Sequence, residues 1–253
     1  MKTRSQKAGF IGGTGGALDA RLETPVDTPL AYAIASHCFT CSKDTITVFR
    51  ISRLLAANGI AVLRFDFTGL GNSAGDFAAS SFTTDVADVQ AAADFLRDNY
   101  AAPTLLIGHS LGGTAMLEAA MAIESVKGVV TIASPSQPAH VLHHFGPALP
   151  LLEQGIAASI QVAGRDYQIE PAFVEDLRRY DMRERLALLN KPVLIFRVLN
   201  DPLVDEANAD EIKAWTSGPS TIITLDKADH LLSNKDDAAF VADQIVAWFE
   251  DVI

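Results

Sequence analysis

Residues Gly108-His109-Ser110-Leu111-Gly112 set a serine between two glycines. An apolar run, Leu105-Leu106-Ile107, precedes them, and a small-residue segment, Gly113-Thr114-Ala115-Met116, follows. A G-x-S-x-G pattern alone is common in loops rich in Gly and Ser. Between a strand and a helix it predicts a sharp turn that lifts the hydroxyl clear of a sheet, as a nucleophile requires. The serine backbone there occupies a sparsely populated region, and the flanking glycines are expected because a Cβ would strike the neighbouring strand or helix. The competing reading is a structural, Gly-rich strand-to-helix turn without chemistry.

Around this turn the chain alternates apolar runs, bounded by turn residues, with segments of helical period. That is the pattern of a mostly parallel, doubly wound sheet with helices on both faces. Strands are predicted at Ala31 to Ser36, Ile60 to Phe65, Thr104 to His109, Gly128 to Ala133, Val193 to Val198 and Thr221 to Leu225. Phe10 to Glu23 reads as a glycine-broken hairpin at a sheet edge. Helices are predicted through Thr47 to Ala57, stopped by Asn58-Gly59, and at Asp85 to Tyr100 and Ala238 to Asp251. Residues 134–190 break the alternation with an apolar stretch, a hairpin around Ala163-Gly164-Arg165-Asp166 and a helix from Pro171 to Tyr180. So long an excursion between core strands reads as a cap over a site, inserted after the sixth strand. A crossover packed on the sheet edge is the alternative. The expectation is one domain over residues 1–253 with this insertion.

Composition excludes several function classes. The net charge of −11, with no run of Lys or Arg, argues against nucleic acid or an anionic membrane as a partner. No stretch reaches the roughly 18–20 apolar residues of a membrane span. The basic start, Met1 to Lys7, is interrupted by Gly12 to Gly16 rather than continued as a secretory signal. A soluble, cytoplasmic protein is the expectation. Two cysteines, Cys38 and Cys41, are too few for a disulfide-stapled scaffold. They could form a redox dithiol or half a zinc site, but no second pair exists, and a structural, pocket-lining pair is the preferred reading. His140, His143 and His144 cluster on a predicted helix and read as solvated or cap-packing residues, not metal ligands. No metal or cofactor is expected.

An activated serine needs a base, and the base needs an orienting acid. In a doubly wound sheet carrying such a turn, these lie on later strand-end loops in the order serine, acid, histidine. Asp201, in Asn200-Asp201-Pro202, leaves the end of Val193 to Val198 and is the preferred acid; Asp205 is the alternative. His230, in Ala228-Asp229-His230-Leu231, follows the last strand and is the base, with Asp229 read as a turn residue. Asp201 could be a plain turn residue and His230 an exposed loop histidine. Neither reading explains why all three follow strand ends in order. The oxyanion hole should use the Leu111 N–H and one from the loop after Ser36, with Phe39 preferred and Cys38 the alternative.

These residues resemble the α/β-hydrolase superfamily, as does the loop Arg64-Phe65-Asp66-Phe67-Thr68-Gly69-Leu70-Gly71-Asn72-Ser73. More narrowly, Ala35-Ser36-His37-Cys38-Phe39-Thr40-Cys41-Ser42-Lys43-Asp44 and Ala228-Asp229-His230-Leu231-Leu232-Ser233 resemble the hydrolase half of bacterial proteins fused to an OsmC-like domain. The resemblance implies serine esterase activity, a cytoplasmic bacterial setting and an OsmC-like domain or partner. The chain ends at Ile253 without such a half, so its peroxidase chemistry is not carried over. The expectation is a serine hydrolase of carboxylic esters, acting on small neutral acyl substrates beneath a cap containing Leu142, Phe145, Leu149, Leu151 and Leu152. The alternatives are a thioesterase, acyltransferase or peptidase with the same residues, or a binding or redox module using Cys38 and Cys41. Oligomeric state is not legible.

Overall fold

A computed structural model describes residues 2–252. The chain runs β1 (Thr3–Ile11), β2 (Ala17–Pro25), β3 (Ala31–Ser36), α1 (Ile46–Ala57), β4 (Ile60–Phe65), α2 (Phe82–Asn99), β5 (Leu105–His109), α3 (Leu111–Ala119) and β6 (Gly128–Ile132). The inserted segment follows, with a 3-10 stretch at Pro138–Ala148, then α4 (Leu149–Glu153), β7 (Ala158–Val162), β8 (Arg165–Ile169), α5 (Pro171–Arg179) and α6 (Met182–Leu186). The main sheet resumes with β9 (Val193–Val198), α7 (Ala207–Trp215), β10 (Ser220–Leu225) and α8 (Lys235–Val252).

Eight strands form one sheet in the order β1-β2-β4-β3-β5-β6-β9-β10. The edge hairpin β1–β2 and the β2–β4 pair are antiparallel, and every later pair is parallel. Strand residues alternate between two cores with the period of two that a pleated sheet imposes. Ile34, Leu106, Val129 and Ile195 join one core, built with α2, α3, α7 and the insertion. Ala33, Leu105, Ile107, Val130, Leu194 and Phe196 join the other, covered by α1 and α8. This is the doubly wound architecture expected, with the insertion directly after the sixth strand.

The order reverses between β3 and β5, because β4 lies outside β3 while β6 continues beyond β5. In open parallel sheets the crevice outside the carboxyl ends of strands at such a reversal is where ligands bind. The loops after β3 and β5 therefore leave the sheet side by side, since Ser36 pairs with Gly108 in register. Among the described residues, no helix is long and apolar enough to cross a membrane.

Candidate active site

Ser110 links β5 to α3 with φ 54° and ψ −131°, a left-handed conformation that costs a non-glycine residue on the order of 1–3 kcal/mol. The strain is held on both sides. The Ser110 N–H donates to the Ile132 carbonyl at 2.9 Å, and the Ser110 carbonyl accepts from Gly113 N–H at 2.8 Å. The glycines are required by close approach. A Cβ at Gly108 would lie 2.3 Å from Gly113 Cα, and one at Gly112 would lie 2.3 Å from the His37 carbonyl oxygen. The turn is thus wedged between β6 and the loop after β3.

His230 sits between β10 and α8, and Asp201 lies just beyond β9, after Asn200 at φ 56°. His230 Nδ1 lies 2.6 Å from Asp201 Oδ2. The carboxylate can only accept, so Nδ1 carries the proton and Nε2 is left as the bare, basic nitrogen. Asp201 Oδ1 accepts from Leu203 N–H at 2.8 Å and Val204 N–H at 3.3 Å. Burial pushes the Asp201 carboxyl up, but the His230 hydrogen bond and charge, with those N–H groups, outweigh it and hold the carboxyl below its usual range. Asp205 instead accepts from Ala207 N–H at the start of α7, and Asp229 accepts from Ser233 N–H in a turn. Both act as backbone caps.

His109, beside Ser110, couples the elbow to the histidine loop. Its Nε2 lies 2.7 Å from the His230 carbonyl oxygen, and the two rings are 4.9 Å apart. A carbonyl can only accept, so Nε2 carries the proton; Nδ1 is buried without a partner among the described residues. Burial, then the neighbouring His230, push the His109 pKa down to about 3, so it is a neutral strut. The Ser110 hydroxyl makes no hydrogen bond to His230 among the described residues; such contacts often tighten only as substrate binds.

The loop after β3 is fixed from below. His37 is buried, its Nε2 accepting from Phe67 N–H at 3.3 Å, so Nδ1 must be the protonated nitrogen. That nitrogen donates to the Cys38 carbonyl at 2.8 Å. Gripping the Cys38 carbonyl orients the Cys38–Phe39 peptide and turns the Phe39 N–H to its opposite side. Burial holds the His37 pKa below its ordinary value. Cys38 and Cys41 are joined by a disulfide that closes this loop around Phe39 and Thr40. Buried Lys43 adds a further tie: its ammonium lies 2.7 Å from both Asp66 Oδ2 and Asp19 Oδ2, and its N–H donates to Asp66 Oδ1 at 2.6 Å. The Leu111 and Phe39 N–H groups have no hydrogen-bond partner among the described residues, and both residues border one narrow cavity.

The insertion covers this region. Phe39 packs against Phe145 and Phe173 at 6.2 and 6.0 Å, and the Tyr167 hydroxyl donates to the Thr40 carbonyl at 3.1 Å. Of the apolar residues expected there, Leu142, Phe145 and Leu152 are buried and Leu149 is half-buried, while Leu151 is exposed. His140, His143 and His144 pack against one another, edge-to-face and tilted, in the 3-10 stretch rather than on a regular α-helix. Burial and the neighbouring histidines lower the His144 pKa to about 4. Among the described residues no group of three His, Cys, Asp or Glu is arranged to hold a metal ion.

Ser110, Phe39, Asp201 and His230 therefore lie on loops at the carboxyl ends of the parallel strands, and Leu111 opens α3 directly after the serine turn. His37, His109, Lys43 and Asp66 stand in the motifs quoted from the sequence, but their supporting roles are not legible there. The one hint is that charged Asp66 and Lys43 stand in loops that directly follow apolar strands.

A profile of the "Alpha/beta hydrolase family" matches residues 34–251. Among solved structures, the chain is similar to the esterase domain from a Rhodothermus marinus protein, at 41% identity and TM-score 0.79, covering 99% of each chain. Mouse alpha/beta hydrolase domain-containing protein 10 shares the fold, with TM-score 0.81 at 19% identity over 98% of this chain and 100% of that one. In sequence, the chain is 25% identical over 206 residues to the mouse mitochondrial palmitoyl-protein thioesterase ABHD10, covering 79% of this chain and 68% of that protein. It is 26% identical over 136 residues to an uncharacterized Rickettsia prowazekii protein, of whose length the match spans 56%, and 52% of this chain. The chain belongs to the alpha/beta hydrolase family.

Proposed function

We propose that this protein is a serine hydrolase of carboxylic esters, with Ser110 as nucleophile, His230 as base and Asp201 as the acid that orients it. The observation that carries the reading is the 2.6 Å Asp201–His230 hydrogen bond, tied through His109 to the strained serine turn. In this mechanism His230 Nε2 takes the Ser110 proton as the hydroxyl oxygen attacks the acyl carbonyl. The N–H groups of Leu111 and Phe39 donate to the developing oxyanion, and Asp201 stabilises the imidazolium. His230 then protonates the leaving alcohol, and the same residues direct water onto the acyl-enzyme to release the acid. No cofactor takes part. The Rhodothermus relative, described as an esterase domain, supports ester substrates. The resemblance to fusion proteins supports a bacterial cytoplasmic setting with an OsmC-like companion.

A thioester is the second reading, supported by the mouse and rat relatives named as palmitoyl-protein thioesterases. Turnover of matched p-nitrophenyl esters and S-acyl thioesters separates the two. The ester reading expects the higher kcat/KM on the oxygen esters and a loss of at least about a thousandfold in Ser110→Ala. Equal, slow turnover by wild type and Ser110→Ala across chain lengths contradicts it. A thiol-dependent response abolished by Cys38→Ser, with ester turnover no faster than in Ser110→Ala, would favour a redox module instead.

A further inference from the structure

The chain's two cysteines, Cys38 and Cys41, bracket Phe39, whose N–H is read above as the second oxyanion donor. Their Cα atoms lie 5.2 Å apart, whereas an open stretch of that length reaches about 10 Å. The bridge therefore keeps Phe39 and Thr40 in a tight turn, with the Cys41 N–H donating to the Cys38 carbonyl at 3.1 Å. The two sulfurs differ in access. Cys38 is buried, while Cys41 is only half-buried and is the one a reagent can reach. A bridge that closes so short a loop gains little chain entropy, and an accessible one is open to thiol exchange.

The turn inside the bridge is strained. Thr40 holds φ 58°, a left-handed conformation that a β-branched residue rarely adopts. Such a residue stays there only where its surroundings over-determine it. Its hydroxyl donates to the Phe39 carbonyl at 2.7 Å, and its carbonyl accepts from the Tyr167 hydroxyl at 3.1 Å. The first bond travels with the turn, and the second comes from β8 of the insertion. Only the bridge is covalent. Once it opens, the turn is held by hydrogen bonds that water can replace. His37 still grips the Cys38 carbonyl, so the end free to move is Thr40–Cys41. Relaxation of Thr40 rotates the peptide that follows Phe39 and pulls its ring from Phe77, Phe145 and Phe173. The Phe39 N–H is then steered from one side alone.

We propose, resting on the ester-hydrolase reading above, that Cys38–Cys41 is a redox site which a dithiol reductant opens from Cys41. Its opening lets the Thr40 turn relax, withdraws the Phe39 N–H from the oxyanion hole and turns the hydrolase down. A thiolate of the reductant attacks Cys41 Sγ, the S–S bond breaks, and its electron pair leaves on Cys38 Sγ. The reductant's second thiolate then attacks its own sulfur in the mixed disulfide and releases Cys41. The two protons lost by the reductant end on Cys38 and Cys41, so the protein gains two electrons and two protons while the reductant closes a disulfide. Oxidation by a second disulfide reverses the sequence and restores the turn.

The test reads kcat and KM for p-nitrophenyl acetate on oxidised protein, after dithiothreitol and anaerobic desalting, and after reoxidation with oxidised dithiothreitol or diamide, with thiols counted at each stage. Reduction should expose both thiols and lower kcat by at least about tenfold, as loss of an oxyanion donor does, with KM little changed. Reoxidation should restore the rate. Cys41→Ser should stay at the lowered rate and ignore the reductant. Thr40→Asn should lose less than about threefold on reduction, because Asn tolerates the left-handed region and the opened turn has little strain to release. Three results overturn the switch: thiols that appear only when the protein unfolds in denaturant, an unchanged kcat with both thiols counted, or an equal loss in Thr40→Asn. A loss that reoxidation does not reverse is unfolding, and overturns it too. Oxidised wild type no faster than Ser110→Ala on every ester instead removes the hydrolase reading beneath it.

Discussion

Two histidines that touch no reacting atom do most to explain how Ser110 and Phe39 are held. His37 donates to the Cys38 carbonyl and so sets the plane of the peptide carrying the Phe39 N–H. His109 donates to the main chain of His230, so the residue preceding the nucleophile grips the residue proposed as base. His109 also carries a pH cost with a definite sign. Its folded pKa of about 3 lies below the unfolded value of about 6.5, so as pH falls below 6.5 the unfolded chain binds a proton that the native site refuses. Stability then falls by about 1.4 kcal/mol per pH unit through this group. His109→Gln keeps a donor for the His230 carbonyl but cannot titrate. Denaturant unfolding should therefore show wild type losing about 1.6 kcal/mol more than the variant between pH 6.5 and 5. Parallel pH slopes would remove His109 from that role.

At the scale of elements, the loops after β3 and β4 are locked to each other by Lys43, Asp66 and Asp19, and Arg64 pairs with Glu23 beside them. Removing the ammonium leaves Asp66 buried and unpaired. Lys43→Met should cost about 3–5 kcal/mol in denaturant unfolding, and Lys43→Arg clearly less. A loss under about 1 kcal/mol in Lys43→Met would mean the loops are held by packing alone. Strands were the most legible part of the sequence: 31–36, 60–65 and 193–198 fall where apolar runs meet turn residues. Helix α2 was legible only from Asp85, because apolar periodicity starts late. It begins at Phe82 because Ser81 and Thr84 form a reciprocal cap, with Thr in place of the usual Glu or Gln. The β7–β8 turn closes over Ala163-Gly164 alone, both at positive φ, rather than over four residues. Buried ion pairs between loops distant in sequence leave no periodic signal, which is why the pairing of Lys43 with Asp66 was not legible.

Across the whole molecule, the sheet brings residues from five loops to one end, and the reversal between β3 and β5 sets the serine turn beside the Phe39 loop. The placement of Ser110, Asp201 and His230 after β5, β9 and β10 was readable because each follows a recognisable strand. The lining of the cavity was not, since Phe77, Asp85 and Phe173 converge from the turn before α2, from α2 and from the insertion. The Cys38–Cys41 bridge lies on the same loop as Phe39; while it is closed neither sulfur is a nucleophile, so only its reduced form competes with Ser110 for covalent chemistry. The most direct test of the account is intact and peptide mass spectrometry on protein quenched in acid during turnover of a short p-nitrophenyl ester. A single acyl mass on the peptide containing Ser110, absent in Ser110→Ala and accumulating in His230→Ala only slowly, is the expected result. Turnover with no acyl mass on Ser110, or with the acyl group on Cys38 or Cys41, would contradict it.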